Sequence, residues 1–205
     1  MAFLAKPLLL TQDEMVKYIL AIPTTGFKVA PAGTTYAGTL WNPKGCVWHN
    51  TGSPSLGMWN AWSDTTRHNY LNGLDSYYQR MGWHSGPHGM GTPEVYSAIL
   101  CDMQADGVHD TCRNKDWYGF ETVLNAVPGG DDPLTGRGLS SMKSTANMIA
   151  ATCIRFKFDP RIAIDFHRNC TNDHHGCPGI LVTNAFAIGL VEARMTEIQS
   201  AAKVS

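Results

Sequence analysis

The sequence predicts an α/β fold with helices packed on a β-sheet, and three observations predict it. Short apolar, β-branched or aromatic runs, GCVWHN, WYGFETVLN and IAIDFH, read as strands. Longer segments with helical periodicity alternate with them. Glycines and prolines fall singly between these pieces, with no repeat, low-complexity tract or linker, so the pieces belong to one compact domain.

In chain order, residues 11–21 read as a short helix with Thr11 as N-cap and Glu14 completing a capping box. Residues 24–41 look extended and loop-like. GCVWHN is a buried strand, and 60–81 is one amphipathic helix stopped at Gly82. Segments 95–103 and 117–125 carry strand residues, PGGDDPLTGRG is a loop, and 139–156 is a helix. IAIDFH is a further strand, followed by a helix over 180–202.

The bulk properties narrow the function. With 205 residues, 43% apolar and 10% aromatic, the chain can bury a sizeable core. A formal net charge of −1 argues against nucleic acid or an anionic membrane surface as partner. The first residues contain only short apolar runs, broken by Lys6, Pro7, Gln12, Asp13 and Glu14, which makes a poor signal peptide. No run approaches the roughly 18 apolar residues of a membrane helix, so stable membrane insertion is not expected. The expectation is a monomer made in the cytoplasm, for which any wall target requires assisted release. The six cysteines show no dense spacing, which predicts reduced thiols rather than a disulfide scaffold, with a Cys101 to Cys112 bridge as the alternative.

Chemistry concentrates in IAIDFHRNCTNDHHGCPG. Period-2 alternation puts Ile162, Ile164 and Phe166 on one face of the strand and Ala163, Asp165 and His167 on the other. His167 and Cys177, joined by His49 from the end of GCVWHN, make a three-ligand set suited to zinc. Three protein ligands leave a position for water that the metal acidifies, which suggests hydrolysis. The competing readings are a closed site from His167, Cys170, His174 and Cys177, histidines held only by hydrogen bonds, and Cys177 as a small buried hydrophobe. Glu121 shares a strand face with Gly119 and Val123 and is placed to act as a general base, or else is an ordinary surface carboxylate. Trp83, His84, His88 and His109 line a groove for a polar substrate or are second-layer polar residues, and Asn114 is counted with them.

Taken together, VWHNTG, GWHSGPHG, GVHDTCRNKDWYGFE and FHRNCTNDHHGCPG resemble, in order and approximate spacing, the zinc-dependent N-acetylmuramoyl-L-alanine amidases of the amidase-2 type. That family includes phage endolysins, bacterial peptidoglycan-recycling amidases and the peptidoglycan recognition proteins. The likeness runs from about residue 44 to 180. It implies a central mixed β-sheet with helices packed on it, an N-terminal extension over residues 1–40 and a catalytic domain over 41–205.

The resemblance further implies that His49, His167 and Cys177 bind Zn2+, that Glu121 is the general base and that peptidoglycan is the partner. His175 stands where the family often has a lysine that steadies the oxyanion. Pro87 stands before His88 where other members carry a catalytic tyrosine, so no tyrosine acts from that position. GMGTPEVYSA replaces the usual acidic hairpin. The expected function is cleavage of the N-acetylmuramoyl-L-alanine amide by a phage endolysin that waits in the host cytoplasm for holin-type release. A muropeptide-recycling amidase and a non-catalytic recognition module are the rivals.

Overall fold

Six strands form one mixed sheet in the order β1-β4-β3-β5-β2-β6 in the computed structural model, which describes residues 3–34, 37–170 and 176–203. The strands are β1 (Phe3–Thr11), β2 (Cys46–Asn50), β3 (Gly89–Gly91), β4 (Tyr96–Cys101), β5 (Tyr118–Thr122) and β6 (Ile164–Phe166). The helices are α1 (Gln12–Ala21), α2 (Leu56–Ala61), α3 (Asp64–Asn72), α4 (Leu74–Arg80), α5 (Gly136–Phe156), α6 (Pro160–Ala163) and α7 (Asn184–Ala201). β4 runs antiparallel to both β1 and β3, while β3, β5, β2 and β6 are mutually parallel along the sheet.

The parallel centre explains the unbroken apolar character of GCVWHN, because such strands are covered on both faces. On one face, Cys46, Trp48, Tyr118, Phe120, Ile164 and Phe166 pack with Met142, Ala146 and Ile149 of α5. The other face carries Met90, Ala98, Leu100 and Val123, covered by Trp59, Leu71 and Leu74 from α2, α3 and α4. Truncating a buried aromatic such as Trp48 or Phe120 to alanine is worth about 3–5 kcal/mol, so each of these layers is a real constraint on strand position.

α1 begins at the predicted capping box: the Thr11 N–H donates to Glu14 Oε2 at 2.9 Å and the Glu14 N–H donates to Thr11 Oγ1 at 3.4 Å. Ahead of it, β1 is an edge strand not read in the sequence. Pro7 sits in its register shift between Phe3 and Leu8, where a missing N–H costs no ladder bond. Residues 3–21 therefore share the sheet and core of the remainder, with α1 packed on α5.

The single helix expected over 60–81 is three helices. Trp62 is extended and the Ser63 side chain accepts from the Thr66 N–H, restarting the helix. All three pieces nonetheless cover the same sheet face, through Trp59, Leu71 and Leu74. The IAIDFH strand is shorter than expected: Pro160–Ala163 form the helical turn α6, which leaves Ile162 exposed and only Ile164–Phe166 paired. α7 starts at Asn184, where the Thr183 side chain accepts from the Phe186 N–H. The expected set of reduced thiols is also corrected. Cys112 and Cys170 form a disulfide across 58 residues, while Cys101 is free and buried.

Among the described residues no helix is long and apolar enough to cross a membrane.

Candidate metal centre

The site is built at the carboxyl ends of β2, β5 and β6, the edge where open α/β sheets place their ligands. Register decides which side chains meet. His49 pairs with Glu121, and Val47 pairs with both Gly119 and Asp165. Residues in register on parallel strands leave the same face, so His49 and Glu121 stand side by side opposite the α5 core. His167 follows β6 directly, in a one-turn 3-10 helix over His167–Asn169.

His49 Nδ1 and His167 Nδ1 lie 3.2 Å apart, and with Cys177 Sγ they form a group whose ligand atoms all fall within 4.8 Å of one another. The Asn50 N–H donates to Cys177 Sγ at 3.0 Å, while burial pushes the thiol well above its ordinary pKa. Two ring nitrogens and one sulfur suit a borderline-soft ion such as zinc.

Other donor groups fit less well. Asp110, Cys112 and Cys170 also converge, but the two sulfurs are joined to each other. The closed set containing Cys170 fails for the same reason. A third cluster, His49 with His109 and Asp110, uses a carboxylate already accepting from the Cys112 and Arg113 N–H groups at 2.8 and 2.6 Å.

Arg168, absent from the sequence reading, holds the cysteine loop. Its backbone N–H donates to Cys177 O at 2.8 Å, and its guanidinium donates to Gly179 O and Val182 O, each at 2.7 Å. The same guanidinium lies 4.2 Å from the centroid of the Phe166 ring. A cation directly after a candidate ligand histidine was the available signal.

Glu121 has a buried Oε2 with no hydrogen-bond partner among the described residues, and burial pushes its carboxyl up to about 8. It forms part of the wall of a cleft of about 560 Å³ lined also by His49, His167, Cys177, Tyr77 and Trp83. A second hollow of about 590 Å³ adjoins it through Thr51, Tyr77, Trp83 and Glu121, and extends over Tyr70, Tyr78 and Arg80.

No protein-family model matches the sequence, and no curated protein matches it. Solved structures do match. The catalytic domain of XlyA aligns with a TM-score of 0.52 and 15% identity, over 80% of this chain and 95% of that one. Drosophila PGRP-LB aligns with a TM-score of 0.53 and 14% identity, over 77% of this chain and 81% of that one. The endolysin N-acetylmuramoyl-L-alanine amidase LysCS from Clostridium intestinale gives 0.51 and 16%, over 85% and 99%. The chain has the amidase-2 fold.

Within that fold the remaining residues expected to line the groove take different places. Trp83, 39% exposed, stacks on Tyr78 with ring centroids 5.3 Å apart and lines both hollows. His84 instead turns to Asp106, with Nε2 2.5 Å from Oδ2. His88 is fully buried: it stacks on Trp41, its Nε2 meets Ala105 O at 3.0 Å, and its Nδ1 accepts the Gly119 N–H at 3.1 Å. It is a core residue and cannot touch substrate. Asn114 shapes the loop before β5, its Oδ1 accepting from the His109 and Asp110 N–H groups at 2.8 Å each.

His109 borders the cleft but is buried, with its Nδ1 3.2 Å from His49 Nε2. Its ring fills the space beside Gly119, where an added Cβ would lie 2.3 Å from His109 Cγ. The room expected beside Glu121 is thus occupied by an imidazole. Tyr77 of α4, which the sequence reading did not single out, lines both hollows. His174 and His175 lie outside the described residues.

Proposed function

We propose that the protein hydrolyses the amide between the lactyl group of N-acetylmuramic acid and L-alanine in peptidoglycan, with zinc held by His49, His167 and Cys177. The observation that carries this reading is the convergence of those three side chains beside Glu121, whose buried Oε2 has no partner of its own. The fold shared with the XlyA catalytic domain and with LysCS supports it. Zinc, when bound, supplies Lewis acidity to the scissile carbonyl and acidifies water.

The chain's own residues do the rest. Glu121 Oε2 accepts a proton from the attacking water as its oxygen bonds to the carbonyl carbon, then delivers that proton to the alanine nitrogen as the C–N bond breaks. Burial holds the carboxyl near neutrality, where it can both take and return a proton. Trp83 and Tyr77 offer flat apolar surfaces to the saccharide and stem peptide at the mouth of the cleft. His175 remains the candidate oxyanion donor on sequence grounds.

The physiological role we assign is that of a phage endolysin, released from the host cytoplasm and acting on the wall as a monomer. A recognition module without catalysis accounts poorly for Cys177 in the ligand cluster and for the unsatisfied Glu121. Assaying intact sacculi against soluble anhydro-muropeptides tests the role. Preference for sacculi supports the endolysin, and preference for soluble fragments supports the recycling enzyme.

A further inference from the structure

We propose that His109 is a positioning residue that sets the tautomer of His49, so that His49 Nδ1 faces the metal as a bare lone pair. The inference rests on the reading of His49, His167 and Cys177 as metal ligands.

The assignment follows from what each atom can do. Trp117 O, a backbone carbonyl, can only accept, and His109 Nε2 lies 2.9 Å from it, so His109 carries its proton on Nε2. In the neutral ring Nδ1 is then an acceptor. His49 Nε2 lies 3.2 Å from that atom and must donate to it. His49 Nδ1 is consequently unprotonated, and it is this nitrogen that lies 3.2 Å from His167 Nδ1 in the ligand cluster. The relay starts at a backbone carbonyl, whose role cannot reverse, and ends at the metal-facing atom.

The relay is also held in place. The His109 ring is seated against the bare backbone of Gly119, and Asn114 Oδ1 accepts from the N–H groups of His109 and Asp110 at 2.8 Å each. Supporting groups behind a ligand histidine are commonly carboxylates or carbonyls. A neutral imidazole here fixes the ring equally well without adding negative charge. Two neutral histidines and one thiolate then leave a zinc centre at a net charge of about +1.

The test uses ring-15N-labelled histidine in the full chain, metal-free and at mildly alkaline pH, with zinc affinity measured by chelator competition. The parent should show His49 protonated on Nε2 and bare at Nδ1. His109→Phe keeps the ring shape without the acceptor, and should scramble the His49 tautomer and weaken zinc binding by about 10–100-fold. His109→Asn, which can place an amide oxygen near the Nδ1 position, should stay within about 3-fold of the parent, an allowance small beside that loss.

A parent His49 protonated on Nδ1 overturns the proposal without any variant, which also covers the case of His109→Phe failing to fold. Unchanged tautomer and affinity in His109→Phe, or equal loss in both variants, overturn it as well. A parent that binds no zinc contradicts the ligand assignment instead, while the metal-free tautomer still decides the inference.

Discussion

His49 and Glu121 are register partners on adjacent parallel strands, β2 and β5, so an imidazole of the candidate metal cluster and a carboxylate with one buried oxygen leave the same sheet face side by side. Neither residue is placed by a loop. Their separation is set by strand pairing, which the cores on both faces hold fixed.

Replacing the carboxylate by its amide should therefore leave the metal and remove the chemistry. Glu121→Gln is expected to bind zinc as the parent does while hydrolysis falls by about 10²–10⁴-fold, the usual range for losing a general base. Metal content and turnover measured on one preparation check this.

The same variant should stabilise the metal-free protein at high pH. Burial raises the Glu121 carboxyl to about 8 in the fold, against 4.5 for an ordinary glutamate, so the fold favours the protonated form. Relative to Gln, the parent is at no disadvantage below about pH 4.5 and loses stability as pH rises through the window up to about 8. Since the side chain is partly solvent-accessible, we expect a gain for Glu121→Gln of only about 1 kcal/mol or more at pH 8, vanishing near pH 4. Urea unfolding at the two pH values reads it.

Arg168→Ala should release the cysteine loop. Losing charged hydrogen bonds to Gly179 O and Val182 O is worth about 2–3 kcal/mol, and Cys177 should lose zinc affinity with it. Denaturant midpoints and chelator competition measure the two effects separately. Arg168→Lys, lacking the fork that reaches both carbonyls, should not restore them.

Reduction should lower stability. The Cys112–Cys170 link closes a loop spanning 58 residues, for which chain entropy sets an effect of up to about 4 kcal/mol. Non-reduced peptide mapping should recover that link, and melting with and without reductant should show the loss.

Much of this was legible in the residues. β2 and β5 are short apolar runs bounded by turns, and the Thr11 to Glu14 capping box marked α1 to the residue. His49 and His167 stood out because they end strand-like runs, Cys177 because it occupies a CPG corner, and Glu121 because it shares a strand face with Gly119 and Val123. The parts not legible depend on long-range partners. β1 hid behind Lys6 and Pro7, which an edge strand tolerates, and β3 is three residues long with two glycines. The helix break at Ser63 opens the polar stretch SDTTRHN, which reads equally as the solvent face of one continuous helix. Nothing local pairs Cys112 with Cys170, and nothing in GPHGM shows that Trp41 covers His88. His109 looked like a groove residue because sequence cannot show that its Nδ1 meets His49.

The central claim names one bond, and mass analysis of the fragments released from purified sacculi tests it most directly. The parent should release stem peptides bearing a free L-alanine amino group and leave N-acetylmuramic acid with a free lactyl carboxylate, and Glu121→Gln should release almost none. Release of glycan fragments with the lactyl amide intact, or cleavage inside the peptide, would contradict the account.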